Sequence, residues 1–192
     1  MTWARGRDQV EGMIERGEIE RVTPDAGLAE RYLGEATNHL ESSRLVRARD
    51  PSGSFDLAYD AARKASVALM AVQGLRPTSG GGHVAVGDLV HAQFGNTFAP
   101  FHRLRRDRNR SGYPDALTPS ITQEDADYAI STSEALVSAA RKLLDTGQLN
   151  AFSRDVWATC PRWQRGPGMR GVTRLHQASA PPAHSRTNPT GG

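Results

Sequence analysis

The sequence has a single cysteine, few aromatic residues and no long apolar segment. Cys160 has no second cysteine with which to form an internal disulfide, and we expect neither a structural nor a catalytic role for it. No apolar run approaches the ~20 residues that cross a bilayer. The N-terminal residues carry charges throughout and lack the apolar centre of a secretory signal. We therefore expect a cytoplasmic protein without a membrane segment.

The positive charge of the chain is concentrated near its C-terminal end. The formal net charge is +3, but residues 1–155 hold all 21 acidic residues and 19 of the 24 basic ones, so this part carries −2 and the last 37 residues carry +5. The net charge of the body therefore gives no argument for nucleic-acid binding. Any basic site within the body must be local.

Two regions are predicted from the composition. Residues 1–157 are long enough for one domain with a hydrophobic core. Residues 158–192 are rich in Pro, Gly and Ser and show no apolar period, so we expect them to form a disordered basic tail. The tail arginines around Trp163 could contact RNA or an acidic partner, although a solvated segment is the simpler interpretation.

Apolar residues recur at helical spacing through the body, which predicts an all-α helical bundle without strands. Start and stop residues delimit the helices. We predict a short helix over about 7–16, long helices from Thr23 to before residue 50 and from about Ser54 to Gly74, a shorter helix containing Val86 to Phe94, helices from about Thr97 to Ser111 and from Thr122 to Gly147, and a closing helical turn within 149–157. Asp125 completes a capping box with Thr122.

An arginine-rich segment, "RLRRDRNRSGYPD", lies at residues 103–115. Helical spacing distributes its arginines over more than one face, so they cannot all be buried. Gly112 and Pro114 end the helix and place Tyr113 beside its last turn. One interpretation is a solvated face paired with Asp107 and other acids. The other is an anion site that binds RNA or a nucleotide and uses the segment's five arginines: Arg103, Arg105, Arg106, Arg108 and Arg110.

The motif "RNRSGY" resembles the signature of HEPN domains (higher eukaryotes and prokaryotes nucleotide-binding), in which an arginine and a polar residue precede a histidine at a helix end. The segment "AYDAARKASVALMAVQGLRPTSGGGH" also resembles the second helix and following loop of that family. The resemblance covers roughly residues 24–147. It implies a HEPN-like bundle in which Arg108 is the family arginine, Asn109 its polar neighbour, and Tyr113 stands where the family has histidine.

That tyrosine bears directly on activity. HEPN nucleases are metal-independent ribonucleases, and the resemblance implies a histidine that handles the proton of the attacking ribose hydroxyl. An unperturbed tyrosine has a pKa of about 10, so Tyr113 is a poor general base at neutral pH. It could still donate a proton or stack on a base. We expect His39, His83, His91 and His102 to serve capping or packing roles, and no spacing predicts a metal site or a cofactor.

Two functions remain open from the sequence. The first is an RNA- or nucleotide-binding HEPN-like protein, a degenerate ribonuclease of the toxin or phage-defence kind, with Arg108, Asn109 and Tyr113 at its centre. The second is a non-catalytic helical module that binds a protein. The resemblance implies a homodimer in which two copies of the motif face a shared cleft, and a small nucleotidyltransferase or an antitoxin as partner.

Overall fold

A computed structural model of the chain describes residues 5–112 and 120–152. The predicted all-α fold is confirmed, with six α-helices and one small sheet in this part of the chain. The elements in chain order are α1 (Arg7–Glu15), β1 (Ile19–Arg21), α2 (Ala26–Val46), α3 (Pro51–Val72), β2 (Leu75–Pro77), α4 (Gly82–Phe94), a 3₁₀ turn (Gly95–Thr97), α5 (Pro100–Gly112) and α6 (Gln123–Asp145). None of these helices is both long and apolar enough to cross a membrane.

Helix α3 is the centre of the bundle. It packs against α2, α4, α5 and α6, and residues on most of its circumference are buried. Five of its alanines have no exposed surface, and such small side chains let neighbouring helices approach closely: Ala58, Ala61, Ala62, Ala65 and Ala68. Larger side chains from α3 and α5 fill the remaining space, among them Phe55, Tyr59 and Phe101. The core therefore holds α3 and α5 in fixed relative positions.

Two helices begin at capping residues other than the predicted ones. The α2 cap is Asp25 rather than Thr23, because an Asp25 Oδ1 atom accepts the Leu28 amide hydrogen at 2.8 Å. In the same way Asp50 caps α3 through the Gly53 amide, so that helix begins before Ser54. The capping box of α6 is confirmed, since the Thr122 hydroxyl accepts from the Asp125 amide and the Asp125 carboxylate accepts from the Thr122 amide.

The prediction that the body has no strand is wrong. Strands β1 and β2 pair antiparallel with Ile19 opposite Pro77, and Arg76 forms an ion pair of 2.8 Å with Glu20 across the sheet. Gly74 makes the turn between α3 and β2 at a φ of +70°, where a Cβ atom would lie 2.6 Å from the Val22 carbonyl oxygen. Three-residue strands are too short to give an alternating pattern in the sequence.

The segment after α6 also differs from the prediction. Residues 149–152 are not helical, and Phe152 instead packs into the bundle as a buried side chain. Its amide donates to the Gln73 carbonyl at 2.8 Å, and the guanidinium groups of Arg7 and Arg21 lie 5.3 and 5.0 Å from its ring centre. The remainder of that predicted turn, residues 153–157, and the predicted tail, 158–192, lie outside the described residues.

Candidate anion-binding site

The arginines of α5 divide between two faces of the helix. Phe101, Arg105 and Arg108 follow one another at spacings of four and three, which places them on the same face. Phe101 is buried on that face against Tyr59 of α3, with ring centres 5.7 Å apart. Since Phe101 fixes which face meets the core, Arg105 and Arg108 continue the same face toward the end of the helix.

Arg103 lies on a different face and makes different contacts. Its guanidinium carbon is 3.9 Å from the centre of the Tyr128 ring of α6, and its Nε atom is 3.5 Å from the Asp107 carboxylate. The side chain is therefore held by a cation–π contact and a long i,i+4 ion pair. The interpretation of the arginine-rich segment as a solvated, ion-paired face therefore describes Arg103 well. Arg106 and Asn109 are exposed.

A tyrosine–histidine pair lies beside the face that carries Arg105 and Arg108. The Tyr59 hydroxyl is 2.9 Å from Nδ1 of His83, and the two rings are 5.7 Å apart between centres. Tyr59 is 2% exposed, whereas His83 is an exposed residue in the first turn of α4. The pair thus joins a buried hydroxyl to an imidazole that solvent and ligands can reach.

The ionisation of this pair reflects burial and nearby positive charge. Burial raises the pKa of Tyr59 to about 12, even though the charges of Arg63, Arg108 and Arg105 oppose that rise. Partial desolvation lowers the pKa of His83 below 6.5, and the charges of Arg63, Arg108 and Arg105 lower it further. Both groups are therefore neutral at pH 7, and the net charge around them comes from the arginines.

A further arginine near the Tyr59–His83 pair is Arg63 of α3. It follows Tyr59 by four residues and therefore lies one turn further along the same side of the helix. Its Nε atom donates to Asp60 Oδ1 at 2.8 Å, which fixes the guanidinium group. Asp60 also lies 3.0 Å from Nδ1 of His39, and the neighbouring Lys64 donates to Glu35 at 2.6 Å. Asp60 and Glu35 together balance the charges of Arg63 and Lys64.

Arg105 and Arg108 have no ion-pair or hydrogen-bond partner within the described part of the chain. The Nε atom of Arg105 is buried and lacks an acceptor. A buried, unpaired N–H of a cation is costly, because it has lost water without gaining a partner. An anion bound between α3, α4 and α5 would supply the missing acceptor. We refer to Tyr59, Arg63, His83, Arg105 and Arg108 as the Tyr–His–Arg cluster.

The other histidines do not belong to this cluster, and of the predicted motif residues only Arg108 does within the described part of the chain. His102 Nε2 is 3.2 Å from His91 Nδ1, and His102 Nδ1 is 3.8 Å from Asp88, so His102 packs on α4. Desolvation lowers the pKa of His102 below 6.5, although Asp88 opposes that shift. Tyr113 and the Arg110 side chain lie outside the described residues. The sequence-based interpretation of His83 as a capping or packing residue overlooked its position beside the Arg108 face, since the two are 25 residues apart in the chain.

Two other kinds of site have less support. A pocket of about 270 Å³ lies between α2, α3, β2 and the segment before α2, but its walls are mostly apolar, with Leu28, Tyr32 and Val67 among them. Within the described residues, no group of three or more histidine, cysteine or acidic side chains is arranged to hold a metal ion. The Tyr–His–Arg cluster is therefore the candidate site. Comparison of the chain with protein-family models, curated proteins and solved structures finds no match.

Proposed function

We propose that this protein is a HEPN-like, cytoplasmic RNA- or nucleotide-binding protein whose anion site is the Tyr–His–Arg cluster. The observation that carries the proposal is the buried Arg105 Nε atom without an acceptor, on the same helix face as Arg108 and beside the Tyr59–His83 pair. Guanidinium groups donate in a planar fork that matches phosphate oxygens. Phosphate is the anion that RNA and nucleotides share.

Substitution of the two arginines tests the proposal. Arg105→Ala and Arg108→Ala should each weaken binding of a short single-stranded RNA by about 1 to 3 kcal/mol, because each removes charge-assisted hydrogen bonds to phosphate. Binding is measured by fluorescence anisotropy at fixed salt, since phosphate contacts depend on ionic strength. Arg106→Ala is the matched control, because Arg106 is on the same helix but exposed. Equal losses in all three variants would indicate a diffuse charge effect rather than a site.

Weak ribonuclease activity is a second candidate function, and His83 is the observation that favours it. A histidine that is neutral at pH 7 can accept a proton, whereas Tyr59, with a pKa of about 12, cannot act as a base there. We expect slow or no RNA cleavage by the wild-type protein in the presence of a metal chelator. Any cleavage should be lost in His83→Gln and kept in Tyr113→Phe if His83 handles the proton. The opposite result would assign the chemistry to Tyr113.

A further inference from the structure

The charges around the Tyr59–His83 pair do not balance. Arg63 is neutralised by Asp60, and Lys64 by Glu35. Asp60 is the acid with the largest effect on the ionisation of both Tyr59 and His83, and Asp56, three residues before Tyr59, already has an interaction of its own. Arg105 and Arg108 therefore contribute two positive charges that no acid within the described residues pairs with.

Two unpaired arginines favour a ligand with two negative charges. An internal phosphodiester of RNA carries one negative charge, whereas a phosphate monoester carries about −1.5 to −2 at pH 7 and offers three terminal oxygens. The neutral Tyr59–His83 pair uses one of its two polar hydrogens between the two side chains, so it offers one further donor to a phosphate oxygen without adding charge. The number of donors and the charge both match a monoester better than a diester.

We propose that the Tyr–His–Arg cluster recognises a terminal phosphate monoester, at the end of an RNA strand or on a mononucleotide, rather than an internal phosphate. This inference rests on the proposed RNA- or nucleotide-binding function and specifies the chemical group that is bound. Arg105 and Arg108 hold the phosphate oxygens, and the exposed His83 ring donates to the same group from α4. The two arginine charges thereby distinguish a chain end, which carries the additional negative charge, from the body of the strand.

The test compares one short RNA in four forms on the full-length protein. The forms carry hydroxyl groups at both ends, a phosphate at the 5′ end, a phosphate at the 3′ end, or a methyl ester on whichever terminal phosphate binds more tightly, which removes the second charge but keeps the phosphate oxygens. Wild-type protein should bind one phosphorylated form at least about tenfold more tightly than the hydroxyl form, which corresponds to one added charge-assisted contact. The methyl ester should lose most of that gain. The end that shows the gain identifies the source of the phosphate.

The variants separate failure of this inference from failure of the proposed function. Arg105→Gln should reduce the preference for the terminal phosphate to about twofold or less, whereas Arg106→Gln should keep it, and circular dichroism verifies that both remain folded. If all four RNAs bind equally while Arg108→Ala still weakens binding, the site binds internal phosphates. The inference of a terminal phosphate is then wrong, although the proposed RNA-binding function is supported. If neither these RNAs nor a 5′-mononucleotide binds, or if Arg105 and Arg108 have no effect on affinity, both proposals are wrong.

Discussion

At the level of single residues, the Tyr59 hydroxyl makes a hydrogen bond that should contribute to stability. Tyr59→Phe removes the bond to His83 Nδ1 but keeps the buried ring against Phe101. We expect a loss of about 0.5 to 1.5 kcal/mol in the free energy of unfolding, the usual net value of one such bond. Urea denaturation measures it. Tyr32→Phe is the control and should lower the free energy of unfolding by less, since Tyr32 is half-buried and its contact with Lys64 is a cation–π contact made by the ring.

The lowered pKa of His83 predicts how stability depends on pH. Its pKa is below 6.5 in the folded protein and near 6.5 in the unfolded chain. As pH falls below 6.5 the unfolded chain therefore takes up the proton first, which favours unfolding, so stability is highest above 6.5 and declines toward the folded-state pKa. The lowered pKa of His102 acts in the same direction.

Denaturation series between pH 7.5 and pH 5 measure this dependence. The decline in unfolding free energy should be smaller in His83→Gln than in wild type, and smaller still when His102→Gln is added, because each substitution removes one titrating group. Both variants are compared with wild type at pH 7.5, where their direct effects on folding are measured separately. Parallel curves for the three proteins would show that neither histidine is responsible.

At the level of helices, the close approach of α4 and α5 depends on Gly87. A Cβ atom at Gly87 would lie 2.8 Å from Cδ1 of Phe101, closer than packed carbons approach. Gly87→Ala should therefore shift α5 away from α4 and lower the free energy of unfolding by about 1 to 3 kcal/mol, despite the better helix propensity of alanine. RNA affinity should fall as well, because Arg105 and Arg108 move with Phe101.

Gly34→Ala provides the matched control for that prediction. Gly34 is an exposed residue within α2, and a Cβ atom there meets nothing within 4 Å. Alanine should stabilise the protein by up to about 1 kcal/mol through helix propensity alone. Thermal unfolding of both variants gives the comparison. If both glycine substitutions stabilise the protein, the contact between α4 and Phe101 is looser than the structure indicates.

The helices could be predicted from the sequence because their signals are local. The capping box at Thr122 and the apolar period of α6 lie within the element that they define. The sequence predicted starts at Thr23 and near Ser54, whereas Asp25 and Asp50 are the N-caps, because several residues close to each boundary can cap a helix. The β1–β2 pair could not be predicted because its hydrogen bonds join segments more than 50 residues apart.

The candidate site could be predicted only in part, for the same physical reason. The charge run on α5 indicated an anion site and included Arg105 and Arg108. Helical periodicity cannot show which face meets α3, and Phe101 decides that by packing on Tyr59. Arg63 and His83 belong to two other helices, and nothing local marks either as a neighbour of α5. Whether Asn109 and Tyr113 contribute to function stays a prediction.

At the level of the whole molecule, the predicted homodimer can be tested through its dependence on salt. The resemblance to HEPN domains predicts that α5 lies in the dimer interface, and Arg106 and Asn109 are among the exposed residues of this helix. Two arginine-rich helices that face one another repel at low ionic strength, and added salt or phosphate screens that repulsion. We therefore expect the dimer fraction of the full-length protein to rise when salt is increased from about 0.05 to 0.3 M, a range over which the Debye length falls to well under 10 Å.

Light scattering coupled to gel filtration measures that fraction over a range of protein concentrations. Arg106→Glu should strengthen association at low salt, because it replaces a repulsive charge in the interface with an attractive one, and should reduce the response to salt. Glu134→Arg on the exposed side of α6 is the control and should leave association unchanged, since that side is not part of the predicted interface. A chain that stays monomeric at several hundred micromolar under all these conditions would contradict the dimer, and the Tyr–His–Arg cluster would then bind its anion within one protomer.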